Sequence, residues 1–332
     1  MRGHDTIVRY LQDAEAAERN IEDVLSSFSK TGDQAAVRSA LANMSRKART
    51  QHQRLQARLR VLGGDSSTAK SAFAHALAFA PTVVQLGQAS GEKSTQYLMI
   101  TIAAAAAQMA MYEALATAAT GADDRETEQL ARQLQEEERH DYHDAAALLR
   151  QSALDSFQQA EGNSIDSIQS YLADAIAAEK SFETQLRDFA REGSGNQIHA
   201  LFEQHANEAR RQQELLTARL KELGGGPSAA KSFIAHLVGL TPKLAQLGHD
   251  VMDRLTQNLI IAFAVQNCEA AMYEALIAVS EWAGDTPTTE LARSIQAEER
   301  ATADKVWQRL APTALSAFDK MSGAEELLHA PS

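Results

Sequence analysis

The chain has 332 residues, a formal net charge of -12 from 44 acidic against 32 basic side chains, and one cysteine, Cys268. That length allows two domains of ordinary size. The acidity, with no dominant basic patch, argues against nucleic acid as a partner, and a lone cysteine excludes an intrachain disulfide and suits a reducing, cytoplasmic setting. Met1 to Asp5 lack the apolar run of a secretion signal, and the longest apolar stretch, Met99 to Ala107, is short and mostly alanine, so no membrane partner is expected.

Six prolines and abundant Ala, Leu, Gln and Glu favour helix throughout. In chain order, a first helix ends at Gly32 and a second at Gly63-Gly64. A short helix precedes Pro81, a long third helix closes at Gly121, and a fourth runs from about Asp124 to Leu149. Ala160 to Ser164 then join this unit to a second one. There the first helix ends at Gly193 to Gly195, the second at Gly224 to Gly226, and the short one before Pro242. The third ends at Gly284, and the fourth runs from about Pro287 to Leu310.

The second unit repeats the first. Tyr10-Leu11-Gln12-Asp13-Ala14 returns 161 positions later as Tyr171-Leu172-Ala173-Asp174-Ala175, Met111 to Leu115 returns as Met272 to Leu276, and Glu137-Glu138-Arg139 returns as Glu298-Glu299-Arg300. A repeat at domain size, with four long amphipathic helices per copy, predicts an all-α chain of two tandem four-helix bundles, residues 1–160 and 161–332, each with a short extra connecting helix. Duplication also suggests that the halves pack about a pseudo-twofold axis, as a fused homodimer would; a homo-oligomer is a further option.

The apolar stripes show which polar residues face inward. In the second unit they pass through Glu179 on the first helix, His205, Glu208 and Gln212 on the second, Gln266 and Glu269 on the third, and Glu298 on the fourth. One buried glutamate per helix is costly unless protonated or bound to cations. Such carboxylate layers hold paired metal ions in helical bundles, and an oxygen-rich set with one imidazole suits iron or manganese. The candidate ligands of a dinuclear centre are therefore Glu179, Glu208, Glu269, Glu298, His205 and Gln266. Glu183, Glu274 and Glu299 come next if a helix is rotated slightly.

The first unit keeps Glu18 and Glu137 on its stripes but has Met44, Lys47, Ala105 and Gln108 where the second has His205, Glu208, Gln266 and Glu269. Lys47 would neutralise Glu18 or Glu137, leaving a degenerate Glu-Lys-Gln layer. Glu137 and His140 form an E-x-x-H pair that could instead hold an ion. Tyr112 and Tyr273 should bond a core carboxylate, Cys268 should be a small buried side chain, and His75 and His236 share a place in the short helix.

Each half resembles the YciE/YciF-type bacterial stress-associated proteins. The resemblance rests on D-A-x-A-A-E ending at Glu179, H-x-x-E at His205 and Glu208, E-A-A-M-Y from Glu269 to Tyr273, and A-E-E-R from Ala297 to Arg300. It implies a ferritin-like bundle, usually a dimerising single domain with a dinuclear metal site, and a stress-response role. Gln266 departs from that family's glutamate, and the first half departs further at Lys47, Ala105 and Gln108. The expected function is metal binding for redox or oxidative-stress protection; the alternative is a non-enzymatic helical scaffold or stress-protection protein with relic metal sites.

Overall fold

The computed structural model describes residues 3–65, 92–159, 164–192, 197–226 and 251–328. All elements among them are helices: α1 (His4–Thr31), α2 (Ala35–Val61), α3 (Lys93–Gly121), α4 (Arg125–Gln159), α5 (Ser164–Glu192), α6 (Gln197–Glu222), α7 (Val251–Trp282) and α8 (Thr286–Leu328). Helices α1 to α4 form one bundle and α5 to α8 the other, each built from two packed hairpins, α1 with α2 and α3 with α4 in the first. The expected short helices, with His75, Pro81, His236 and Pro242, lie outside the described residues, as does the joining segment except Ser164.

Local chemistry explains the boundaries. At the end of α2, Gly64 N donates to the Leu59 carbonyl (2.9 Å) and Gly63 N to that of Arg60 (3.1 Å), with Gly63 at φ 73°. At the end of α6, Gly225 and Gly224 bond Leu220 and Lys221 in the same way, both at 2.9 Å. This double closure needs a left-handed residue, which explains the repeated Leu-Gly-Gly. α3 ends at Gly121 as expected, but Gly121 is not the left-handed residue of the closure. The left-handed residue there is Asp123 (φ 56°), the counterpart of Gly284 (φ 73°). Gly121 instead makes room for Phe318, whose Cδ1 would lie 2.9 Å from any added Cβ.

The fourth helices run well past Leu149 and Leu310, because Ala153, Phe157, Ala314 and Phe318 continue the buried stripe. Pro312 lies within α8. The third helices carry no single stripe. From Ser94 to Tyr112 every residue of α3 except Gln96 is buried, because α3 packs on its own bundle and also on α7 and α8. Lys93–Gly121 and Asp253–Trp282 are apolar enough to cross a membrane by length and composition, but 89% and 78% of their most apolar windows are buried inside the protein.

Some contacts between the halves come in reciprocal pairs, while others, such as Arg150 with Glu274 (3.3 Å), do not, since the counterpart of Arg150 is Ala311. Tyr10 donates to Asp253 Oδ1 (2.8 Å), and its counterpart Tyr171 shares a small cavity with Glu92, the counterpart of Asp253. Phe157 meets Trp282 edge-on, with ring centroids 5.1 Å apart, while their counterparts Phe318 and Gly121 are in contact.

Candidate carboxylate layers in the two bundle cores

Both bundles bury a polar layer at mid-height. In the first, Glu18 is fully buried and accepts from Gln108 Nε2 (2.7 Å) and the Tyr112 hydroxyl. Gln51 on α2 donates to Glu138 Oε1 (2.8 Å) and Glu137 Oε2 (3.2 Å) on α4. The second repeats the scheme. Tyr273 donates to Glu179 Oε1 (2.5 Å), and Gln212 donates to Glu299 Oε1 (2.8 Å) and Glu298 Oε2 (3.0 Å). The inferred tyrosine–carboxylate bonds are therefore present in both halves.

The fourth-helix phase is corrected by one position. Glu299, not Glu298, faces the core; Glu298 is 34% exposed and pairs with Arg211. Likewise Glu138 is buried, and Glu137 is 41% exposed and pairs with Arg54. A glutamate pair straddling the stripe margin leaves the inward one undecided in sequence. Lys47 neutralises neither Glu18 nor Glu137; it is largely exposed and pairs with Asp141 at the rim of the layer. His140 is 69% exposed, so Glu137 and His140 do not share a core site.

The other candidates in the second bundle fall in or beside the layer. Glu179, Gln266, Glu269 and His205 are buried. Glu208 is half-buried, accepting from Gln204 (2.8 Å) and Thr302 (3.3 Å). A cavity of about 10 Å³, lined by His205, Glu208, Gln266 and Glu299 among others, has room for roughly one water-sized sphere. Gln266 Nε2 and His205 Nδ1 are 3.4 Å apart. Cys268 is buried, which pushes its thiol up to about 12.

Burial sets the protonation of both layers. It raises Glu18 to about 8 and Glu299 to about 7, and holds Glu138, Glu179 and Glu269 well above the ordinary range. Neighbouring carboxylates add to this: Glu299 and Glu298 raise Glu179, and Glu179 and Glu299 raise Glu269. Burial also lowers His205 to about 4, so its ring is neutral at physiological pH.

The layers differ in saturation. Among the described residues, Glu179 Oε2, both oxygens of Glu269, His205 Nε2, Gln266 Oε1 and Gln212 Oε1 are buried without a hydrogen-bond partner; the first layer leaves Glu18 Oε2 and Gln51 Oε1. An excess of acceptors over donors is what protons or a cation would relieve. Yet among the described residues no three or more His, Cys, Asp or Glu side chains are grouped so that they could hold a metal ion. The donor chemistry of the second layer fits a metal, but its side chains as placed do not assemble around one.

The family described as "Domain of unknown function (DUF892)" matches twice, over residues 3–158 and 166–318. The chain belongs to the DUF892 family. No solved structure matches it. Two consecutive DUF892 matches coincide with the two bundles, so each four-helix unit carries one copy and one polar layer.

Several buried ionisable groups escaped the sequence reading. Glu15 is buried and meets His52 Nε2 at 2.7 Å. Asp253 is buried, and Asp13, Asp174 and Glu92 half-buried, at the contact between the two DUF892 copies. The repetition of Tyr-Leu-x-Asp-Ala and of an acid at positions 92 and 253 was a usable signal, but nothing in sequence placed those positions against the opposite half.

Proposed function

We propose that this protein is a non-enzymatic helical scaffold of the stress-protection type, cytoplasmic in location, whose polar layers are relics of metal sites now held by protons and hydrogen bonds. The carrying observation is the first layer: Glu18 is closed by Gln108 and Tyr112, and Glu138 by Gln51. The absence of a metal-grouping trio among the described residues supports the same reading for the second. Reciprocal contacts between the halves support treating the chain as a fused pair of equivalent units.

The unpartnered oxygens of Glu179 and Glu269 and the free Nε2 of His205 favour a second reading. In it the second bundle closes around a dinuclear iron or manganese centre, with Glu179, Glu208, Glu269, Glu299, His205 and Gln266 as ligands and Glu298 just outside. Such a centre would supply redox chemistry toward ferrous iron or peroxide. Here the chain's own residues orient the carboxylates through Tyr273 and Gln212 and keep water out.

Metal analysis after anaerobic loading with Fe(II) or Mn(II) and desalting separates the two. The scaffold reading expects no stoichiometric metal and the same melting temperature with and without chelator. Two ions per chain, lost in E269A and E208A but kept in K47A, would establish the second reading and remove the first.

A further inference from the structure

The bundles differ at one more place, away from the polar layers. Between the first turn of α6, the start of α7 and the last third of α8 lies a cavity of about 290 Å³. Ile198, Leu255, Pro312 and Ala317 give it an apolar wall, and Arg309 and Lys320 stand at its edges. The α8 residues follow at helical spacing along one face. They place the two cations three turns, or about 16 Å, apart along the axis. The volume matches the lower end of small-molecule pockets, roughly 300 Å³.

The equivalent space in the first bundle is plugged. Gln34 Nε2 donates to the Ser152 carbonyl (2.9 Å) and the Ser156 hydroxyl (3.2 Å). Thr95 Oγ1 lies within bonding distance of the hydroxyls of Ser152 (2.9 Å) and Ser156 (3.2 Å). In sequence, the second copy keeps a hydroxyl at Thr313, the counterpart of Ser152, but has Gly195 for Gln34 and Ala317 for Ser156. Thr256, the counterpart of Thr95, is buried and its hydroxyl has no hydrogen-bond partner among the described residues.

Charge arrives where the plug has gone. Leu148 and Gln159 of the first copy correspond to Arg309 and Lys320. Loss of a plug alone is a packing defect; loss of a plug together with two gained cations is a change of ligand chemistry. Among the described residues Arg309 Nη1 donates to the neutral Gln197 Oε1 (2.9 Å), and a carboxylate is the stronger acceptor.

We propose that this cavity binds a small organic anion with an aliphatic body, its carboxylate on Arg309, Lys320 adding positive potential, and its chain against Leu255, Pro312 and Ala317. Calorimetric titration with octanoate tests it, with inorganic phosphate and 1-octanol each supplying only half of the required chemistry. Octanoate should bind, and phosphate and octanol should bind more weakly. R309A and K320A, both at exposed positions, should each weaken octanoate about three- to fivefold with unchanged melting temperature. Absence of octanoate binding, equal binding of phosphate, or an affinity unchanged in the R309A/K320A double variant would overturn the proposal. None of these outcomes depends on metal content.

Discussion

The two buried tyrosines make the layers comparable one residue at a time. Glu18 has both Gln108 and Tyr112 as donors, whereas Glu179 has only Tyr273, because the position of Gln108 is taken by Glu269. Tyr273→Phe therefore leaves a fully buried carboxyl with no partner, and Tyr112→Phe does not. Y273F is expected to cost about 1–3 kcal/mol and Y112F less, measured by urea unfolding of each variant. Equal losses would show that Gln108 contributes nothing to holding Glu18. The same pair shows what a helical period conveys. It placed Glu18, Glu179, Glu269, His205 and both tyrosines on the inward side, since each lies well inside its stripe. It misplaced the Glu137-Glu138 and Glu298-Glu299 pairs, because the two neighbours flank the stripe margin and which one is buried is set by how the fourth helix packs on the others.

At the scale of the helix, Asp124 and Asp285 start α4 and α8. Asp285 accepts from the backbone N and hydroxyl of Thr288 (3.2 and 2.6 Å) and from Arg219 at the end of α6 (2.7 Å). Asp124 does the same with Thr127 and with Arg58 from α2. Each aspartate is thus an N-cap and a tie between two helices. Burial opposes ionisation of Asp285, but the hydrogen bonds from Thr288 and Arg219 outweigh it and hold its carboxyl below the usual range. Its contribution is present above the unfolded pKa and lost as pH falls through the folded one. D285A should cost about 1–2 kcal/mol at pH 7, read from the urea midpoint, with a smaller loss at pH 3. A loss of the same size at pH 3 would mean that packing, not the charged cap, is what the substitution removes.

For the whole molecule, the joint between the halves is acidic on both sides. Burial raises Asp13 to about 7, with Asp253 adding to the shift and Arg9 opposing it; burial raises Asp174 to about 7, with Glu92 adding. A carboxyl that keeps its proton in the fold but loses it near pH 4 when unfolded stabilises the fold fully only below that value. Its contribution falls as pH rises from about 4 through about 7. The D13N/D174N variant should show a shallower loss of stability between pH 5 and pH 8 and be the more stable protein at pH 8. Parallel pH profiles for variant and parent would show that these aspartates are hydrated at the joint.

Sequence by itself determined the eight long helices, the Leu-Gly-Gly stops of α2 and α6, the duplication and most of each inward polar set, because these depend on backbone sterics and on a 3.6-residue period. Tertiary structure alone decided which member of each glutamate pair is buried, that Lys47 pairs with the buried Asp141, and that α3 and α7 are apolar all round because each faces two bundles. It also decided that a cavity lies at one end of the second bundle, between α6, α7 and α8. All of these depend on side chains from distant segments reaching one place, and spacing along a single helix carries no record of what stands across from it.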